Sequence, residues 1–87
     1  MEIQAVFAGN MKKYRKLAKI TQERLAELCN TDYRYIGQIE TGRRYPSLEF
    51  IGKIAIALNI APYLLFYDET GTDKEGLALC KENKNKK

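Results

Sequence analysis

Residues 21–40 read TQERLAELCNTDYRYIGQIE, and the spacing of their apolar side chains decides the fold. Thr21 carries the hydroxyl of a helix N-cap, able to accept from a free amide of the first turn, and Gln22 and Glu23 follow beside the positive end of that helix. Leu25, Ala26, Leu28 and Cys29 fall at i, i+1, i+3 and i+4, which predicts one buried stripe; Ala26 is small where the next helix must cross closely. The stripe stops at Asn30, a residue that tolerates the left-handed backbone ending a helix. Asp32 then restarts a helix as its N-cap. Beyond it Ile36 and Ile39 point inward, while Tyr33, Arg34, Gly37 and Gln38 fall together on the opposite face, in solvent.

Two short amphipathic helices joined by a tight turn form a helix-turn-helix. Upstream, from about Gln4 to Lys19, the residues Phe7, Met11, Tyr14, Leu17 and Ala18 recur at helical spacing, with Lys12, Lys13, Lys16 and Lys19 on other faces. Arg15 beside Tyr14 reads, on composition alone, as a solvated or phosphate-binding cation. Downstream, Gly42 supplies a helix-ending turn, Arg43 and Arg44 are exposed by default, and Pro46 closes the loop. Ser47 caps a fourth helix whose stripe is Leu48, Ile51, Ile54, Ala55 and Leu58, with Lys53 outside. Asn59 makes the next turn, and Pro62 suits the first position of a fifth helix. The run Tyr63, Leu64, Leu65, Phe66 and Tyr67 is too apolar for one short helix to bury. After Asp68 the chain turns polar and, from Lys81, rich in lysine and asparagine; Leu77, Leu79 and Cys80 allow at most one helical turn, and the composition predicts a disordered tail. The organisation expected is an all-α domain over 1–68 followed by a polar basic tail, 69–87.

The sequence TQ-x-x-LA, the second N-cap at Asp32, and then I-x-x-I-E-x-G-x-R-x-P-S resemble the Cro/repressor-type helix-turn-helix family, the lambda-repressor-like or Xre-type domain. The likeness runs from about Phe7 to Phe66 and takes in Arg15 upstream and Pro46-Ser47 downstream. It implies a compact five-helix lambda-repressor-like fold in which Arg15 forms a partly buried structural ion pair with Glu40. The chain departs from the family pattern at three places: Lys19 stands where glycine is usual, Arg24 where a capping-box glutamate is usual, and Ala61 where serine is often found. If left-handed, Lys19 strains its turn by roughly 1 kcal/mol. Arg24 loses one reciprocal cap bond and is either a plain solvated cation or a phosphate contact.

The resemblance also implies double-stranded DNA as the partner, read through the major groove by Tyr33, Arg34, Gly37 and Gln38. Arg34 suits guanine O6 and N7, and Gln38 suits adenine N6 and N7, because each offers paired groups in a planar fork. Tyr33 is placed to meet a thymine methyl or a phosphate. Gly37 marks either close approach to DNA or an absence of contact. Phosphate contacts are expected from Gln22, Arg24, Tyr35, Arg43 and Arg44, the last two alternatively forming a solvated loop. Family members bind two-fold operators as dimers, and Ile60, Tyr63, Leu64, Phe66 and Tyr67 are the expected homodimer surface, unless they close the core beneath the first helix.

Composition bounds these readings. Eighty-seven residues make one domain with one modest core, and no apolar run approaches membrane-spanning length. With no basic, apolar leader at the start, a cytoplasmic location is expected. The net charge of +4 suits a polyanion, yet residues 1–70 hold ten basic and eight acidic groups, a net of only +2, so placement of charge matters more than its total. The chain has no histidine, and Cys29 and Cys80 show no metal spacing, so neither metal nor cofactor is expected and the cysteines read as one buried and one loose thiol. No nucleophile with a base, glycine-rich phosphate loop or carboxylate pair can be placed, which argues against an enzyme. Two functions stay open: a sequence-specific transcriptional regulator, or a protein-interaction module of the same fold, as an antitoxin or adaptor.

Overall fold

Four α-helices form in the computed structural model: α1 (Ile3–Leu17), α2 (Gln22–Leu28), α3 (Tyr33–Glu40) and α4 (Leu48–Leu58). A 3-10 helix, Pro62–Phe66, follows them. The structure describes residues 2–68, and the expected tail, with Cys80, lies outside them. No strand occurs among the described residues.

The starts of three helices are set by side chains that accept from the first turn. Thr21 Oγ1 takes the Arg24 amide at 3.0 Å, Asp32 Oδ1 the Arg34 amide at 2.8 Å, and Ser47 Oγ the Phe50 amide at 3.1 Å. Each such cap contributes about 1 kcal/mol. The four ends share one device. Lys19 (φ 62°), Asn30 (φ 59°), Gly42 (φ 81°) and Asn59 (φ 58°) are left-handed. The next amide in each case reaches back five residues: Ile20 to Arg15 O, Thr31 to Ala26 O, Arg43 to Gln38 O and Ile60 to Ala55 O, at 2.8–3.3 Å. These are Schellman ends, which satisfy carbonyls that a helix terminus leaves free. Glycine serves at only one of them, and Lys19, with neither glycine's freedom nor asparagine's local hydrogen bonding, carries the strain foreseen for it.

The core gathers Phe7 and Met11 from α1, Leu25, Ala26 and Cys29 at α2, Ile36 and Ile39 from α3, Ile54, Ala55 and Leu58 from α4, and Leu65. Several stripes are narrower than their periodicity suggests. Leu28, expected inside, is 46% exposed, because α2 is only seven residues long and Leu25, Ala26 and Cys29 already fill its inner arc. Leu17 and Ala18 are exposed at the end of α1, past the last side chains of the core. Leu48, the first residue of α4, is 85% exposed and projects beyond the core on the outer side.

The expected fifth α-helix is instead a 3-10 helix of five residues. Ala61 offers no side-chain cap, and the stretch is too short to repay α-helix nucleation. Asn10 Nδ2 donates to Leu65 O at 3.0 Å and, just past the helix, to Tyr67 O at 2.8 Å, pinning the segment to α1. Phe66 packs on Phe7, ring centroids 5.4 Å apart.

One ion pair lies within this apolar interior. Arg15 Nε donates to Glu40 Oε2 at 2.6 Å and Nη2 to Oε1 at 3.2 Å, while Nη1 donates to Ile20 O at 2.9 Å. Both residues are 8% exposed. The guanidinium thereby joins the C-terminal ends of α1 and α3 to the turn before α2. Arg15→Met or Glu40→Gln is expected to lower stability by about 3 kcal/mol, since each strands its partner's buried polar groups, and Arg15→Met/Glu40→Leu should recover much of that loss. Urea unfolding of the three variants checks this; single variants as stable as wild type would contradict it.

Candidate nucleic-acid interface

The side chains left outside by the burial of Ile36, Ile39 and Glu40 make up one face of α3. Tyr33 is half exposed, the Arg34 side chain is 75% exposed, and Gly37 and Gln38 are half-buried rather than fully in solvent. Together with Gln22, Thr41 and Arg43 these four line a single open groove. Thr41 was not singled out from sequence, although it follows Glu40 at the helix end where a hydroxyl commonly bonds back. Its Oγ1 donates to Gly37 O at 3.1 Å and lies 3.2 Å from Gln38 O.

Gln22 occupies the groove wall through a link to the buried pair, its Nε2 donating to Glu40 Oε1 at 3.1 Å. Glu40 thus receives hydrogen bonds from α1 and α2 together. A Cβ at Gly37 would lie 3.7 Å from Gln22 Nε2 and Oε1, an ordinary contact, so sterics inside the free protein do not demand glycine here.

Arg34 folds back on the residue that caps its helix. Its Nε donates to Asp32 Oδ1 at 3.3 Å and its Nη2 to Oδ2 at 3.0 Å. The Arg34 guanidinium, and after it the Arg34 amide, holds the Asp32 carboxyl below the usual carboxylate range, and Asp32 in turn raises Arg34. A carboxyl lowered in the folded state contributes stability above its unfolded value and loses it as pH falls through the folded one, so this cap acts fully at neutral pH. The D-x-R spacing was the available signal for the pair.

The remaining cations divide. Arg43 reaches the groove, its backbone fixed by the bond to Gln38 O. Arg44 stands over the Tyr35 ring, 5.5 Å from its centroid, and Tyr35 packs on Phe50 with centroids 5.2 Å apart. Tyr35 is therefore a half-buried platform for Arg44 beside the groove. Arg24 lies apart from the groove lining and pairs with Glu27 at 3.0 Å on the exposed side of α2. Burial pushes the Cys29 thiol up, as befits a core residue.

Away from the groove, the apolar C-terminal residues are split. Leu65 is fully buried, Ile60 packs against the core and Leu64 is half-buried, whereas Tyr63 is 69% and Tyr67 46% exposed. Phe66, at 37%, is shared between solvent and Phe7. Ile56, missed because the inward period of α4 runs through Ile54, Ala55 and Leu58, is 82% exposed and lies eight residues after Leu48 on the outer side of that helix.

The profile of the helix-turn-helix family HTH_3 matches residues 11–65. Over 66 residues the chain is 36% identical to control protein C.SmaI of Serratia marcescens, covering 75% of this chain and 79% of that one. It is 38% identical over 64 residues to a hypothetical transcription factor of Neisseria meningitidis, covering 74% of this chain and 60% of that relative. The crystal structure of a Neisseria hypothetical transcription factor superposes with a TM-score of 0.75 at 35% identity, over 90% of this chain and 85% of that one. That of the restriction-modification controller protein C.AhdI from Aeromonas hydrophila gives 0.70 at 38% identity, over 72% and 96%.

Gly37→Ala is expected to stabilise the free protein by up to about 1 kcal/mol, because alanine is the better helix former and the added methyl meets only Gln22 at van der Waals distance. A urea midpoint that rises at unchanged slope bears this out; a fall would show that Gln22 cannot accommodate the methyl.

Proposed function

We propose, for a chain that belongs to the helix-turn-helix family of transcription regulators, that it is a sequence-specific double-stranded DNA-binding regulator which inserts α3 into the major groove and acts as a homodimer. The observation that carries this reading is the clustering of Tyr33, Arg34, Gly37 and Gln38 with Gln22 and Arg43 along one open groove. A major groove about 12 Å wide admits one helix, and the edges of its base pairs present distinct donors and acceptors. Arg34 then takes guanine O6 and N7, Gln38 takes adenine N6 and N7, Tyr33 meets a thymine methyl or a phosphate, and Gly37 lets the backbone come close. Gln22, Arg43 and Arg44 hold phosphates, with Tyr35 supporting Arg44. Arg24 is the weakest phosphate candidate, being engaged by Glu27.

Residues 1–68 serve in this reading as the DNA-binding domain and 69–87 as a basic tail. Pairing of two copies uses Tyr63 and Tyr67 with the flanks of Ile60, Leu64 and Phe66, extended by Ile56 on α4, since large apolar side chains left exposed on a small domain mark an interface. The relatives named as control and restriction-modification controller proteins support a regulatory role.

Selection of binders from random duplexes tests the reading, enrichment of a two-fold symmetric motif being the expected result; no enrichment would favour the interaction-module alternative. Against the selected duplex, Arg34→Ala or Gln38→Ala should cost about 1–3 kcal/mol and relax one position per half-site. Arg43→Ala or Arg44→Ala should weaken selected and scrambled duplexes alike and lower the salt slope by about one per subunit. Equal losses on both duplexes for Arg34→Ala would contradict the assignment. Ile56→Glu/Tyr63→Glu should shift sedimentation at micromolar concentration to monomer with helix content kept, and a wild type already monomeric there would refute the proposed pairing surface.

A further inference from the structure

The pairing of Arg34 with its own helix cap has a direct bearing on recognition. One carboxylate does two jobs: Asp32 Oδ1 accepts the Arg34 amide at 2.8 Å, and the same group takes Nε at 3.3 Å and Nη2 at 3.0 Å. The backbone and the far end of one side chain are thus tied to a single anchor. A guanidinium has two forks, one along Nε and Nη2 and one along the end formed by Nη1 and Nη2. Asp32 occupies the first. Among the described residues the end-on fork stays open, in a side chain that is 75% exposed and lines the groove.

We infer that Asp32 is a specificity-determining positioning residue, which holds the Arg34 guanidinium with its end-on fork presented to guanine and withholds it from phosphate. The inference rests on the proposed base-reading role of Arg34. Two physical effects act together. An exposed arginine otherwise samples many rotamers, and the side-on clamp removes those that turn the fork away from the groove floor. The carboxylate also cancels the charge of Arg34 locally and repels any phosphate oxygen that approaches the clamped edge, so the arginine gives little to nonspecific binding and retains its directional bonds to a base. Asp32 itself is half exposed, with a side chain 51% accessible, and stands at the mouth of α3 rather than in the core.

The cap and the clamp can be separated. Asp32→Asn keeps an oxygen for the Arg34 amide but loses the anion, and Asp32→Ser keeps a cap acceptor without reaching the guanidinium. The experiment uses the full chain, the duplex that wild type selects from a random pool, its scrambled counterpart, and duplexes changed at each guanine of the selected site, titrated at several salt concentrations. Both variants should bind the scrambled duplex more tightly, with steeper salt dependence, and should lose roughly tenfold in discrimination at the guanine that Arg34→Ala identifies. On an Arg34→Ala background, Asp32→Asn should change discrimination no further. Discrimination within twofold of wild type in both variants overturns the inference while leaving the base-reading role intact, and so does an equal loss on the Arg34→Ala background. If Arg34→Ala alters discrimination at no base pair, the base-reading role fails and this inference with it. Thermal melts that match wild type establish that the variants report the clamp and not the fold.

Discussion

A guanidinium from α1 and a carboxylate from α3 meet in an interior otherwise built of methyl groups and rings. Either charge alone would be costly there. Together, with Ile20 O taking a third hydrogen bond, they fix how α3 rolls about its axis: Glu40 must point to Arg15, so Ile36 and Ile39 point to the core, and the residues half a turn away face out. The same carboxylate orients Gln22 across the groove. Side chains from three helices are therefore registered against one another by one acidic residue at the last position of α3, and the polar face of α3 inherits that register.

The outer groove is built differently from the core beneath it. Its members are held by short local bonds: Arg34 by Asp32, Arg43 through its amide, Arg44 by the Tyr35 ring. The Arg44 contact involves a cation that water competes for and exchanges readily for a ligand, while the side-on hold on Arg34 leaves its end-on fork to meet one. A buried network that sets geometry and a surface layer that can change partners suit a domain that must hold its shape while it binds.

Much of this was legible in the sequence because it is local. N-caps at Thr21, Asp32 and Ser47, left-handed turns at Asn30, Gly42 and Asn59, and the outward set Tyr33, Arg34, Gly37 and Gln38 follow from propensities and the helical period. The likeness to Cro/repressor-type domains supplied what periodicity could not, the partner of Arg15, since a contact across 25 residues leaves no local trace. What escaped depends on where the core ends. Leu28, Leu48 and Ile56 lie at the rims of helices, where a 100° step decides between inside and outside and only the packed neighbours fix the answer. The docking of Pro62–Phe66 was hidden for a related reason, because it is held by Asn10, more than fifty residues earlier.

The placement of α3 in the major groove is tested most directly by methylation interference on duplexes selected by the protein, since a methyl on guanine N7 blocks that groove edge and leaves phosphates and the minor groove untouched. Methylation of one guanine in each half-site is expected to abolish wild-type binding and to have no effect on the residual binding of Arg34→Ala. Binding that tolerates methylation at every guanine N7 would contradict the placement of Arg34, and of the helix that carries it, against the base edges.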